Sequence, residues 1–206
     1  RVVLHEMRPV RTTPAHQTDR LAELVCSTTV KSTETVNAHG LLKAEMRLLG
    51  SVVLEAADEA RVPGGSALTV DRDVFARVIT DRISRHHNIE IVRDEVTELT
   101  SPSIIATGPL TSETLAESIR VRTGSDALSF FDAIAPIVSF ESIDHGIAFR
   151  ASRYGKETME GAGDEGAYLN CPMSREEYET FLDALSTADQ YRTHEFDEVP
   201  YFEGCM

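Results

Sequence analysis

The chain opens on an apolar run, Val2-Val3-Leu4, that closes at Glu6, so residues 2–6 are predicted as a short strand. Residues 7–18, with two prolines among polar side chains, read as loop; 19–25 as a short helical stretch; 27–35 as a second, Ser/Thr-rich loop. Leu42, Met46, Leu49, Val53, Ala56 and Ala60 keep helical spacing and predict one long amphipathic helix over 38–60, ended by Pro63-Gly64-Gly65. Residues 66–70 form the next expected strand, and Asp71 is placed to cap a helix with Phe75, Ile79 and Ile83 on its inner face. Residues 89–99 alternate as one bent strand or two short ones. Ile104-Ile105-Ala106 reads as a buried strand, and Thr111 or Ser112 caps a helix reaching about Val121. Strand, helix, strand and helix in this order predict an α/β domain with a largely parallel sheet.

From about residue 125 the texture changes. Residues 130–138, 147–154 and 167–171 look like strands, and 174–185 like a helix opened by a capping box, Ser174 with Glu177. The acidic, glycine-containing stretch 157–166 is expected to be a mobile loop. No internal repeat is visible.

Charge complicates the choice of partner. A net charge of -14 argues against a nucleic-acid grip, which Lys and Arg carry. Yet residues 1–31 hold five basic and three acidic side chains against two and thirteen in 157–206, so the N-terminal part is locally positive. Cys26, Cys171 and Cys205 are too few and too widely spaced for a disulfide framework or a zinc site, and the seven histidines show no ligand spacing, so no metal is expected. The cysteines are then either buried fillers or reactive thiols. No run approaches the roughly 18 apolar residues of a membrane helix and nothing resembles a signal peptide, which makes a cytoplasmic location the default. A first residue that is Arg1 and already abuts a strand leads to the expectation of a segment upstream.

Three places carry candidate chemistry. In a dinucleotide-binding βαβ unit the second strand ends in an acid that accepts the ribose hydroxyls, and Glu6 stands at such a strand end; a solvated strand end is the plain alternative. Gly108, after the apolar run 104–106, either lets the backbone approach a cofactor or simply makes the turn. Arg150, Arg153 and Lys156, beside Tyr154, are either a phosphate-binding cluster or an ordinary charged surface.

Nine strings in order across the chain carry a resemblance. They are His5-Glu6-Met7-Arg8-Pro9-Val10-Arg11, Pro14-Ala15-His16 through Glu23-Leu24-Val25-Cys26-Ser27, Gly40-Leu41-Leu42-Lys43, Val70-Asp71-Arg72 and Ala106-Thr107-Gly108-Pro109-Leu110-Thr111. Phe131-Asp132-Ala133-Ile134-Ala135-Pro136, Ala151-Ser152-Arg153-Tyr154-Gly155-Lys156, Tyr168-Leu169-Asn170-Cys171-Pro172-Met173 and Tyr201-Phe202-Glu203-Gly204-Cys205 complete the set. Together they resemble the folate- and FAD-dependent tRNA (uracil-5-)-methyltransferases that make ribothymidine in the T-loop.

That resemblance implies a Rossmann-like FAD domain, here residues 1–124 without its glycine-rich first unit, and an inserted α/β substrate-facing domain, here 125–206, in a piece lacking both ends. It implies FAD, with 5,10-methylenetetrahydrofolate and NAD(P)H as co-substrates and tRNA as partner. Carried over residue by residue, Glu6 becomes the ribose ligand and Gly108 a backbone position close to the flavin. Val96 falls on a strand that presents backbone groups to adenine. Arg8, with Arg11, lies on the cofactor side, where a cation would lower the pKa of a neighbouring thiol. The family's two functional cysteines fall on Cys205, favoured as nucleophile, and Cys26, its acid/base partner, with the reverse assignment as the alternative; Cys171 is expected to be structural. Thr28-Thr29-Val30 after Cys26 depart from the family's usual residues, and the loop 157–166 is longer. The rival readings are the related flavoprotein that modifies the wobble uridine and a non-catalytic acidic binding protein derived from the same fold.

Overall fold

A computed structural model describes residues 1–13, 15–25, 27–108, 110–124, 138–152 and 166–189. Strand β1 (Val2–His5) pairs in parallel with β5 (Ile89–Val92), Val2 opposite Ile89 and His5 opposite Val92. Between them run β2 (Thr29–Ser32), α1 (Ala38–Leu48), α2 (Val52–Glu59), β3 (Arg61–Val62), β4 (Ala67–Val70) and α3 (Arg72–Ser84). The order β2-β4-β3 forms an antiparallel sheet, so the architecture is mixed α/β with the parallel pairing confined to β1 and β5 among the described residues.

The core lies where α2 and α3 meet β4. Leu54, Leu68, Val70, Phe75, Val78 and Ile79 are buried there with Leu21, and each large apolar side chain contributes on the order of 2 kcal/mol. Ala56 and Ala57, fully buried, let α2 approach its neighbours closely. Asp71 caps α3 as its sequence predicts, its carboxylate accepting from the Val74 amide at 2.9 Å.

Several expectations are corrected. The helix expected over 38–60 is two helices, because Gly50 takes a left-handed turn (φ 70) and Ser51 caps α2 by accepting from the Leu54 amide. The helical periodicity also misplaces the inner face of α1: Gly40 and Lys43 are buried, while Leu42 and Leu49 are 55% and 85% exposed. Residues 19–25 form no helix. There the Leu21 amide goes to the Thr80 hydroxyl, and the Glu23 carboxylate takes the Gln17 and Thr18 amides. The loop expected over 27–35 contains β2, since its β-branched residues suit pairing with β4. Ile104 and Ile105, expected in a buried strand, are exposed and unpaired, an apolar run with no neighbouring strand among the described residues.

Farther along, α4 (Glu113–Thr123) is capped by Ser112, and β6 (Phe149–Ala151) pairs antiparallel with β7 (Tyr168–Asn170). Helix α5 (Arg175–Thr187) carries the expected capping box, Ser174 and Glu177 each accepting from the other's backbone amide. The Tyr168 hydroxyl donates to the Gly64 carbonyl at 2.8 Å, tying β7 to the turn between β3 and β4. Of the strand expected over 130–138 and the loop expected over 157–166, all but Val138 and Gly166 lie outside the described residues. No helix among the described residues is long and apolar enough to cross a membrane.

Candidate functional site

The parallel register brings the carboxyl ends of β1 and β5 together, and the Glu6 amide donates to the Val92 carbonyl at 3.0 Å. In open α/β sheets this edge is where ligands bind. It is built here around one buried guanidinium. Arg8 is only 4% exposed: Nε and Nη2 fork onto the two Glu6 oxygens at 2.8 and 3.0 Å, and Nη1 reaches Glu23 Oε2 at 2.7 Å and the Thr18 carbonyl at 3.2 Å. Glu23 also accepts from the Thr18 hydroxyl, and Arg93, just past β5, donates to the carbonyls of Arg8 and Asp19. The loop over 7–23 is thereby sewn to the sheet edge by charge-assisted hydrogen bonds.

Burial is the largest single influence on the Glu6 carboxyl and pushes its pKa up. The hydrogen bonds from the Arg8 side chain and backbone, with the charges of Arg8 and Arg93, outweigh it and hold Glu6 below the usual carboxylate range. Glu23 behaves alike: burial raises it, and the Gln17 and Thr18 hydrogen bonds with the Arg8 charge bring it below its ordinary value. Both acids are therefore ionised at neutral pH. His16, whose Nδ1 lies 2.7 Å from the Thr13 hydroxyl, also has its pKa lowered, by burial first and the Arg8 charge second, which for an imidazole favours the neutral form. It lines a shallow cleft with Pro9, Thr12, Gln17, Thr18, Asp19 and Arg20.

A second set of bonds carries the edge toward α4. Arg11 Nη1 donates to both oxygens of Glu95 at 2.6 and 2.8 Å and lies 3.5 Å from the Thr114 hydroxyl, while Glu95 also bonds the Ser112 side chain at the helix cap. Val96, next to Glu95, is half-buried. Gly108 has φ 71, and nothing lies within 4 Å of where its Cβ would stand. The nearby turn is braced by the Thr107 and Thr111 hydroxyls, 2.6 Å apart.

The residues singled out from the sequence fare differently. Glu6 closes β1 as expected, yet it is not a free strand end. Of the roughly four acceptor positions a carboxylate offers, Arg8 takes three, leaving one on Oε2. The Arg8 guanidinium is engaged with two carboxylates and a carbonyl, which offsets the field it could cast on a thiol. Arg150 is exposed on β6, opposite Leu169, beside a cleft lined by His145, Ala148 and Phe149. Cys171, expected to be structural, is an exposed free thiol. Cys26, Cys205, Arg153 and Lys156 lie outside the described residues. Sequence reasoning missed Glu23 and Arg93, because partners brought together by the tertiary path leave no spacing signal; Glu23 sat in a segment read as helical.

The profile of the family described as glucose inhibited division protein A, GidA, matches residues 1–206. The chain is similar to proteins named methylenetetrahydrofolate–tRNA-(uracil-5-)-methyltransferase TrmFO. It is 53% identical to that of Phenylobacterium zucineum over 210 residues, covering 100% of this chain and 45% of the relative. It is likewise 53% identical to that of Geobacter sulfurreducens (100% and 46%) and 55% identical to that of Solibacter usitatus (98% and 45%). The chain thus spans somewhat under half the length of the curated relatives it matches. With the whole of its 206 residues matched, the chain belongs to the GidA family.

Proposed function

We propose that this chain is part of a cytoplasmic tRNA (uracil-5-)-methyltransferase that uses FAD, 5,10-methylenetetrahydrofolate and NAD(P)H. What supports the reading is 53% identity over 100% of the chain to proteins of that name. In this reading residues 1–124 belong to the flavin domain and 125–206 to the substrate-facing domain. The observed sheet edge fits the cofactor: Oε2 of Glu6 retains one acceptor position for a ribose hydroxyl, and the open side of Gly108 admits close approach of a flat ring. Val96, which the sequence placed on a strand but which follows β5 in irregular backbone, is assigned to the adenine. Arg8 acts by holding Glu6 ionised and oriented rather than by direct contact.

When bound, reduced FAD supplies the one-carbon unit taken from the folate and the reducing electrons. The chain's own work is to activate the uracil. Its C5 is a weak nucleophile until a thiolate adds at C6, and Cys205 is assigned that addition. Cys26 is assigned the proton that must leave C5 before the thiolate is expelled. Arg150, Arg153 and Lys156 are assigned to tRNA phosphates, contacts that position the substrate without reading its sequence.

In the protein comprising this chain, Cys205→Ala should abolish the covalent complex with a 5-fluorouracil RNA mini-helix while FAD stays bound, and Cys171→Ala should change neither. A Cys205→Ala protein that still forms the adduct transfers the nucleophile's role to Cys26. Absence of any adduct in the parent protein overturns the methyltransferase reading.

A further inference from the structure

The hairpin of β6 and β7 has two unlike faces. Cross-strand partners share a face, so Arg150 stands with Leu169 on one side and Ala151 with Tyr168 on the other. The Tyr168 hydroxyl, donating to the Gly64 carbonyl at 2.8 Å, commits its side of the hairpin to the turn between β3 and β4. Beside Arg150 and Leu169 opens a cleft of about 450 Å³, lined also by His145, Ala148 and Phe149. That volume lies within the roughly 300 to 1,000 Å³ of ligand clefts.

Exposed rings gather here. A single 3₁₀ turn over Phe140–Ser142 leads into a tight bend closed by Asp144. The Asp144 carboxylate takes the Gly146 amide at 2.8 Å, and its carbonyl takes the Ile147 and Ala148 amides at 3.1 and 2.8 Å. The bend folds His145 back on Phe140, ring centroids 4.6 Å apart and planes tilted by 46°. Phe140 and Phe149 are 57% and 52% exposed, far from the burial that an aromatic side chain of this size ordinarily gains. Arg150, also exposed, has no ion-pair partner among the described residues. Open aromatic faces beside an unneutralised guanidinium suit a ligand that joins a flat ring to a negative charge.

We propose that this cleft is a nucleotide subsite for single-stranded RNA. One unpaired base stacks on the rings of Phe149 and His145, and its phosphate takes the Arg150 guanidinium. Phe140 is a positioning residue that holds the His145 ring at the cleft. RNA loops supply such bases, because unpaired nucleotides splay out while a duplex keeps its bases stacked. Stacking needs no surplus of cations, so it serves a chain of net charge -14. The inference rests on the tRNA-modifying reading, which assigns Arg150 to phosphate, and adds to it the recognition of a base.

The probe is an RNA hairpin with a single-stranded loop, compared with copies that lack one loop base at a time, all bound to the protein comprising this chain. Removing the stacked base should weaken binding about tenfold. F149A should weaken the intact hairpin about tenfold and abolish the preference for that base. R150M should weaken every hairpin alike and lower the salt slope by about one. If F149A fails to fold, photo-crosslinking of 5-bromouridine loops to the unaltered protein decides, with attachment expected within residues 140–150. Base preferences that all survive in folded F149A, equal binding of the intact and every abasic hairpin, or crosslinks only elsewhere overturn the proposal. A base preference lost in F149A, in a protein that forms no fluorouracil adduct, keeps this subsite and loses the methyltransferase reading; an adduct without such a preference does the reverse.

Discussion

Replacing Arg8 by Met tests whether the sheet edge is held by one guanidinium. The substitution keeps the stem's packing and removes four donor contacts, two to Glu6, one to Glu23 and one to the Thr18 carbonyl. Two carboxylates whose side chains are 16% and 6% exposed then lose their cation. Removing one partner of a buried ion cluster costs about 3 to 5 kcal/mol. Glu23 keeps its bonds from Gln17 and Thr18, and Glu6 keeps the backbone amide, so the lower end, about 3 kcal/mol, is expected. In a chain of this size that lowers Tm by roughly 6 to 12 °C. The pH dependence gives a second signature. Glu6 and Glu23 have folded-state pKa values below their unfolded ones, so their stabilisation is present above the unfolded carboxylate pKa and lost as pH falls through the folded values. In R8M this acid loss should shrink, and the triple variant E6Q/R8M/E23Q should be more stable than R8M alone because no buried charge remains. Urea unfolding at pH 7 and pH 4 measures all three. An R8M protein within about 1 kcal/mol of its parent, with an unchanged acid slope, refutes the reasoning.

Gly166 has φ 93, and an added Cβ would stand 2.3 Å from the Ser152 nitrogen, so Gly166→Ala should separate β6 from β7, read as lost amide protection at residues 149–151. At Gly108 an added Cβ meets no atom within 4 Å, so Gly108→Ala should cost only the left-handed strain, about 1 to 2 kcal/mol in urea unfolding, while weakening FAD by far more in the protein comprising this chain. Equal FAD affinity in the two proteins would remove Gly108 from the cofactor side.

Local chemistry was legible wherever it is decided within a few residues. Asp71, Ser112 and Ser174 announce their helices because a cap needs an acceptor at one position and an amide three residues on. The break at Gly50-Ser51 was missed because a glycine turn followed at once by a new cap preserves the apolar period on both sides. Ile104 and Ile105 misled for the opposite reason: an apolar run states a preference for burial, not the presence of a partner strand. At the site, Glu6 was visible as a strand-ending acid, while its neutralisation by Arg8 and the recruitment of Glu23 and Arg93 depend on a loop path that no periodicity encodes.

The same limit governs charge. Counted along the chain, residues 1–31 are locally basic, which invites an electrostatic footprint for nucleic acid there. The fold spends that surplus. Arg1 pairs with Glu90 at 2.6 Å, Arg8 with Glu6 and Glu23, Arg11 with Glu95 at 2.6 Å and Arg20 with Asp73 at 3.3 Å, so four of the five cations face acids, three of them drawn from residues 73–95. Lys31, exposed in β2, is the member of this set left without an ion-pair partner among the described residues. A cation matched by a carboxylate adds little to the field a phosphate meets, whereas an unmatched one adds its full charge at short range. Affinity for a phosphate-bearing ligand should therefore follow Lys31 and Arg150 rather than the net charge of -14 or the arginine-rich N-terminal segment.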